Sequence, residues 1–202
     1  MAFLSDAKSV FLVILIGLGL GVGLRFFASS SSEARQVGYR ARALPSGPEI
    51  VLMYFGTRSC SYSAAEATVE SVRTAKSLVE ARAKAIGLGF VSHGVASDWD
   101  VRGGMSHLER SGPWDEVSLG RSWANSVVLE YLFEDASQLA GTPKIVILRR
   151  TLDIGFGPDS VVTRYNFRDE QVLLRVNGAE EIGGWVEEGA PVPGIDLRHS
   201  DT

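Results

Sequence analysis

The chain has one cysteine, and its neighbours are residue types that make a thiol reactive. Cys60 stands within Arg58-Ser59-Cys60-Ser61-Tyr62-Ser63, after an apolar run and a Gly-Thr loop and before a stretch of helical periodicity. The first N–H groups of a helix lack backbone partners and carry partial positive charge, so a sulfur at its opening is favoured as a thiolate. Arg58 adds positive charge two residues ahead, and Ser63, one turn on, brings a hydroxyl within reach. A thiolate of lowered pKa is a nucleophile for disulfides and peroxides. The competing role for a lone cysteine is a small buried apolar side chain with no chemistry.

Other chemistries are excluded or demoted. One cysteine allows no intramolecular disulfide and no Cys-based zinc or iron–sulfur site, and His93, His107 and His199 are too scattered for a histidine metal cluster. The metal assignment is therefore none. Lys and Arg number 20 against 24 Asp and Glu, a net charge of −4, which argues against a nucleic-acid binder working by bulk positive charge. Asp98 and Asp100 could hold a cation, but capping of the helix that follows is the expected role. His107 lies in a polar stretch read as exposed. Trp114 and Trp123 are candidates for a partner surface, with core packing the expected role for at least one.

The elements that must position Cys60 follow from periodicity. Glu49–Phe55 is a continuous apolar run bounded by turn residues, which predicts a buried strand. From Cys60 to about Ile86 the apolar residues Ala64, Ala67, Val72, Ala75, Leu78 and Val79 form a helical stripe, ended by Gly87. Leu88–Val95 reads as a second strand, 97–120 as short helices and turns, and Ser122–Phe133 as a helix. Gly141-Thr142-Pro143 leads directly into a strand at Lys144–Leu148. Val161–Tyr165 and Val172–Val176 read as a closing hairpin, Asn177-Gly178 as a turn, and Ala179–Glu188 as a last helix. Residues 190–202 read as a tail. This order predicts an α/β fold, a mixed sheet flanked by helices.

The N-terminal part has a separate character. Val10–Ala28 is an apolar run of 19 residues interrupted by Arg25, close to the ~20 residues that span a bilayer as a helix. It predicts one transmembrane anchor over 10–28, after a flank at 1–9 and before a flexible linker at 29–48. A cleaved signal peptide ending near Ser30 is the alternative. Gly17, Gly19, Gly21 and Gly23 make two overlapping GxxxG pairs, which would let another membrane helix pack closely. The excess of arginines after the run argues for a cytoplasmic domain.

The run Val51-Leu-Met-Tyr-Phe-Gly-Thr-Arg-Ser-Cys60-Ser-Tyr-Ser63, followed by Gly141-Thr-Pro-Lys-Ile-Val-Ile-Leu148, resembles the thioredoxin-like superfamily. It is most similar to the membrane-anchored thiol–disulfide proteins of bacteria, over residues 49–189. The resemblance implies a thioredoxin-like sheet preceded by the membrane helix. It also implies a cis bond at Pro143 facing Cys60, and substrate contacts from Thr142, Pro143 and Tyr62. Gly178 matches the glycine before the family's last helix. It departs from the family at Ser63, which replaces the second cysteine, at Ser59 and at Tyr54, where the family's buried acid falls. Cys60–Ser63 also looks like monothiol glutaredoxins, which brings in glutathione as a possible co-substrate; no cofactor is otherwise implied.

Two functions stay open. One is a membrane-tethered monothiol protein exchanging thiols with a protein or small thiol, with Cys60 attacking and Ser63 and Arg58 stabilising its charge. The other is a redox-inactive accessory or scaffold subunit of a larger membrane complex. Membrane lipid and a membrane protein are the expected partners, with no nucleic acid. The resemblance, against the arginine count, implies a single-pass protein of a bacterial inner membrane with a periplasmic domain.

Overall fold

The computed structural model describes residues 46–133, 140–156 and 162–195. The expected anchor at 10–28 with Gly17, Gly19, Gly21 and Gly23, the flank before it, most of the linker and residues 196–202 lie outside the described residues. Among the described residues no helix is long and apolar enough to cross a membrane.

The apolar run at 49–55 forms the centre of β1 (Gly47–Gly56). The other strands are β2 (Gly89–Ala96), β3 (Glu116–Ser118), β4 (Lys144–Phe156) and β5 (Val162–Asn177), in the sheet order β3-β2-β1-β4-β5. β1, β2 and β3 run parallel, while β4 runs antiparallel to β1 and β5 antiparallel to β4. The helices are α1 (Ser61–Ala64), α2 (Glu66–Ala85), α3 (Val101–Glu109), α4 (Ser126–Tyr131) and α5 (Gly178–Glu187). The mixed sheet flanked by helices is thus present.

β1 is buried on both faces, which is why its sequence is continuously apolar rather than alternating. Ile50, Leu52 and Tyr54 join Val72, Val79, Leu108, Ile182 and Trp185 in one core. Val51, Met53 and Phe55 join Val91, Val128, Leu132, Val146 and Leu148 in the other. At the opening of α5, Gly178 has φ +83° and donates its N–H to the Pro143 carbonyl at 2.8 Å. A positive φ there suits glycine, which has no Cβ to clash.

Several expectations change. The single helix from Cys60 to Ile86 is two helices, because Ala65 has extended backbone (φ −62°, ψ 136°). The helix over 122–133 is a 3₁₀ turn at Ser122–Ala124 followed by the short α4. The two short runs after residue 161 are one strand, since β4 continues to Phe156 and pairs β5 along its length. Pairing with β1 stops at Leu152, so the outer part of this hairpin extends past its inner neighbour. The start of the expected tail packs into the core through Ala190, Val192 and Ile195. His107, read as exposed, is 3% exposed, and Trp114 is buried as well.

Candidate functional site

The loop after β1 is held before it reaches the cysteine. Ser97 donates its N–H to the Gly56 carbonyl, continuing the β1–β2 ladder by one bond. The Asp98 carboxylate accepts from the Thr57 hydroxyl at 3.0 Å and from the Arg58 N–H at 3.2 Å. Asp100 caps α3 by accepting from the N–H groups of Arg102 and Gly103, the role expected of it. The Asp98–Asp100 segment therefore fixes the loop and the helix beside it, and among the described residues no cluster of His, Cys, Asp and Glu could hold a metal.

Cys60 is partly exposed and immediately precedes α1. Its S–H donates to the Thr142 carbonyl at 3.3 Å, and the Thr142–Pro143 bond is cis. The sulfur and the cis-proline loop thus meet, although 82 residues separate the two contact positions. Burial pushes the Cys60 thiol up, but the N–H and hydroxyl of Ser63, a hydrogen bond from the Thr142 side chain and the Tyr62 N–H together outweigh it and lower the pKa. Thr142 acts in both senses. An S–H given to its carbonyl favours the thiol, whereas its side chain favours the thiolate.

The break at Ala65 has a cause that the sequence alone does not show. Three successive carbonyls before it are taken by side chains instead of the next helical turn. Thr68 Oγ1 donates to the Tyr62 carbonyl at 2.7 Å, Tyr54 Oη to that of Ser63 at 3.5 Å, and Arg110 to that of Ala64 at 2.7 Å. Arg110 is also paired with Glu66 at 2.8 Å. Side-chain groups inserted into a helical ladder are a recognised source of kinks without proline. Here they separate the turn carrying Ser63 from the long α2.

The remaining expected site residues lie as follows. Ser63 is fully buried, and its hydroxyl has no hydrogen-bond partner of normal geometry; it nonetheless neighbours the sulfur. Arg58 is exposed and lies along α3, where a Cβ on Gly103 would stand 3.0 Å from its guanidinium carbon. It is absent from the groups that shift the Cys60 pKa. Tyr62 is 70% exposed beside the cysteine.

Sequence reasoning missed one part of the site. Tyr54 lies behind the cysteine loop, nearly parallel to the Trp114 ring at a centroid distance of 6.0 Å and with the His107 ring centroid also 6.0 Å away. Its hydroxyl is 3.3 Å from His107 Nε2. Gly56 passes directly over this pair: a Cβ there would stand 2.5 Å from His107 Nε2 and 2.6 Å from Tyr54 Oη. The available signal was the position of Tyr54, where the resembled family places a buried acid.

No family model matches the chain, and no curated protein matches it. Among solved structures it is similar to the thioredoxin domain of a thiol-disulfide oxidoreductase from Bacteroides vulgatus, at 16% identity and a TM-score of 0.36, covering 71% of this chain and 80% of that one. A thiol:disulfide interchange protein from Bacteroides sp. aligns at 16% identity and a TM-score of 0.37, covering 75% and 78%. Copper-bound ScoI from Arabidopsis thaliana aligns at 10% identity and a TM-score of 0.30, covering 70% and 83%. At TM-scores this low, none of the three decides the fold or the activity of this chain.

Proposed function

We propose that this chain is a thioredoxin-like protein that exchanges disulfides through the single thiol of Cys60. The observation that carries the reading is the meeting of a partly exposed sulfur, with a lowered pKa, and the cis-proline loop at Thr142. In this reaction the Cys60 thiolate attacks one sulfur of a disulfide R–S–S–R′. A bond forms between Cys60 and R, the old S–S bond breaks, and R′S⁻ leaves with the electron pair and takes a proton from solvent. Ser63 cannot close an internal disulfide, so an outside thiolate must attack the R sulfur and release Cys60 as thiolate. Glutathione or a protein thiol would serve. Tyr62 and the Thr142–Pro143 loop would line the approach of the partner.

The same reading tethers the domain by the apolar run at 10–28, to a bacterial inner membrane on its periplasmic side, where a membrane protein could pack against the glycine pairs. Ser63 in place of a second cysteine also favours the alternative, a retained platform in a membrane complex with no exchange activity.

The two separate in one experiment. The protein is mixed with an aromatic disulfide that releases a coloured thiolate, and the rate is followed from pH 5 to pH 10. Exchange predicts one equivalent released, a mixed-disulfide mass on Cys60, no release from Cys60→Ser, and a half-maximal rate below the ~8.5 of free cysteine. A rate no faster than that of free cysteine, rising only through that value, leaves the platform reading.

A further inference from the structure

Buried polar atoms in folded proteins are almost always hydrogen-bonded, and an exception calls for a reason. Two exceptions flank Tyr54: the Ser63 hydroxyl on the cysteine side and His107 Nδ1 on the other. Ser63 is 0% exposed and His107 3%. The His107 tautomer follows from its partners. A proton on Nδ1 would bury an N–H with no acceptor, which costs more than an unfilled lone pair. The proton therefore belongs on Nε2, which donates to Tyr54 Oη at 3.3 Å, and the Tyr54 O–H is left to donate to the Ser63 carbonyl at 3.5 Å. The chain runs in one direction, towards the residue whose N–H and hydroxyl face the sulfur.

Resting on the exchange reading above, we propose that Tyr54 and His107 are positioning residues for Cys60: they hold Ser63 so that its buried hydroxyl, which neighbours Tyr54 but makes no hydrogen bond of normal geometry, donates to the sulfur when the sulfur is charged. The orphaned hydroxyl is then a donor kept for the thiolate and for the leaving sulfur of the exchange step. In the mixed disulfide that donor loses its acceptor, so the device favours release of Cys60. The charged groups facing the chain are Asp98 and Arg110 at His107, and Arg110 and the Cys60 sulfur at Tyr54. Burial, the largest cause, pushes His107 down and Asp98 opposes it, while burial pushes Tyr54 up. Both shifts favour the neutral ring. Gly56 fits the same account, since any Cβ there would displace both donor atoms.

The test reads the thiol without any disulfide partner: the iodoacetamide alkylation rate of Cys60 against pH, on the full chain, with circular dichroism to confirm folding. Ser63→Ala is expected to raise the apparent pKa by about one unit, a roughly tenfold slower reaction below it. Tyr54→Phe is expected to slow the reaction about threefold, and in the Ser63→Ala background by less than half of that factor. His107→Leu should match Tyr54→Phe, while His107→Gln, which keeps an N–H donor, should restore part of the rate. An unmoved profile in folded Tyr54→Phe, or equal slowing in both backgrounds, overturns the proposal. Alkylation that follows these expectations with no exchange overturns the exchange reading and leaves the chain of donors standing.

Discussion

The two faces of the sheet each bury a polar cluster beside β1, and the clusters are built differently. On one face Arg150 donates to Glu49 at 2.8 Å, with the two side chains 6% and 2% exposed, and to Glu116 at 3.2 Å. Its guanidinium also lies 3.8 Å over the Phe167 ring. His93 Nε2 donates or accepts at Ser118 at 2.9 Å, while its buried Nδ1 makes no hydrogen bond. On the other face, Tyr54, His107 and Ser63 carry no formal charge and leave two polar atoms unpaired, with the sulfur as their neighbour. The first cluster joins four strands: Glu49 on β1, His93 on β2, Glu116 on β3 and Arg150 on β4. The second joins one strand to two helices: Tyr54 on β1, Ser63 on α1 and His107 on α3. Each cluster thus leaves a buried ring nitrogen unpaired; what differs is the paired charge that ties strands on one face and the unpartnered hydroxyl that stands beside the sulfur on the other.

The comparison breaks most easily at Arg150. Arg150→Ala strips the buried Glu49 carboxylate of its guanidinium and should cost about 3–5 kcal/mol in urea unfolding, with Cys60 alkylation at pH 7 unchanged in the fraction that stays folded. A loss below ~1 kcal/mol, the range of exposed pairs, would mean the face is not tied there.

His93 gives the next effect. Burial first, and Arg150 second, push its pKa down to about 4. It is therefore neutral at pH 7, and its 3.6 Å approach to Glu116 is not an ion pair. Because the unfolded chain binds the proton more readily, this contribution is present above about pH 6.5 and lost as pH falls towards 4, amounting to ~3 kcal/mol. Urea titrations at pH 7 and pH 4.5 should show a larger loss for the native chain than for His93→Gln. Equal losses would remove His93 from the account.

The smallest effect sharpens the contrast. Ser63→Ala removes a buried hydroxyl with no partner, so stability should stay level or rise by up to about 1 kcal/mol, while the thiol pKa rises. A clear destabilisation would show a hydrogen bond at Ser63 that matters to the fold.

Much of this was legible in the residues around the cysteine. An apolar run flanked by turns gave β1, and Gly141-Thr142-Pro143 before a β-branched run gave the start of β4. Local pattern could not show that Cys60 begins a helix of only one turn. That break depends on Tyr54, Thr68 and Arg110, of which two are on other elements, and tertiary hydrogen bonds overrode the helical stripe. The same limit hid His107. It sits in a stretch of polar and small residues, yet α3 turns it inward onto Tyr54. The packing of Ala190, Val192 and Ile195 was masked by the prolines between them, which read as a loop but shape a segment that covers the core.

The projecting hairpin has a consequence for association. Among the described residues β5, 16 residues long, is an outermost strand of the sheet, and a strand edge can recruit a strand from another molecule. Its exposed stretch carries Arg164, Arg168, Asp169 and Glu170, with Asp169 in the left-handed region at φ +55° and register shifts along β4. An incoming strand would meet charge and an uneven hydrogen-bonding rail. Those charges and shifts disfavour strand addition along that part of the edge, although Tyr165 is exposed on it as well.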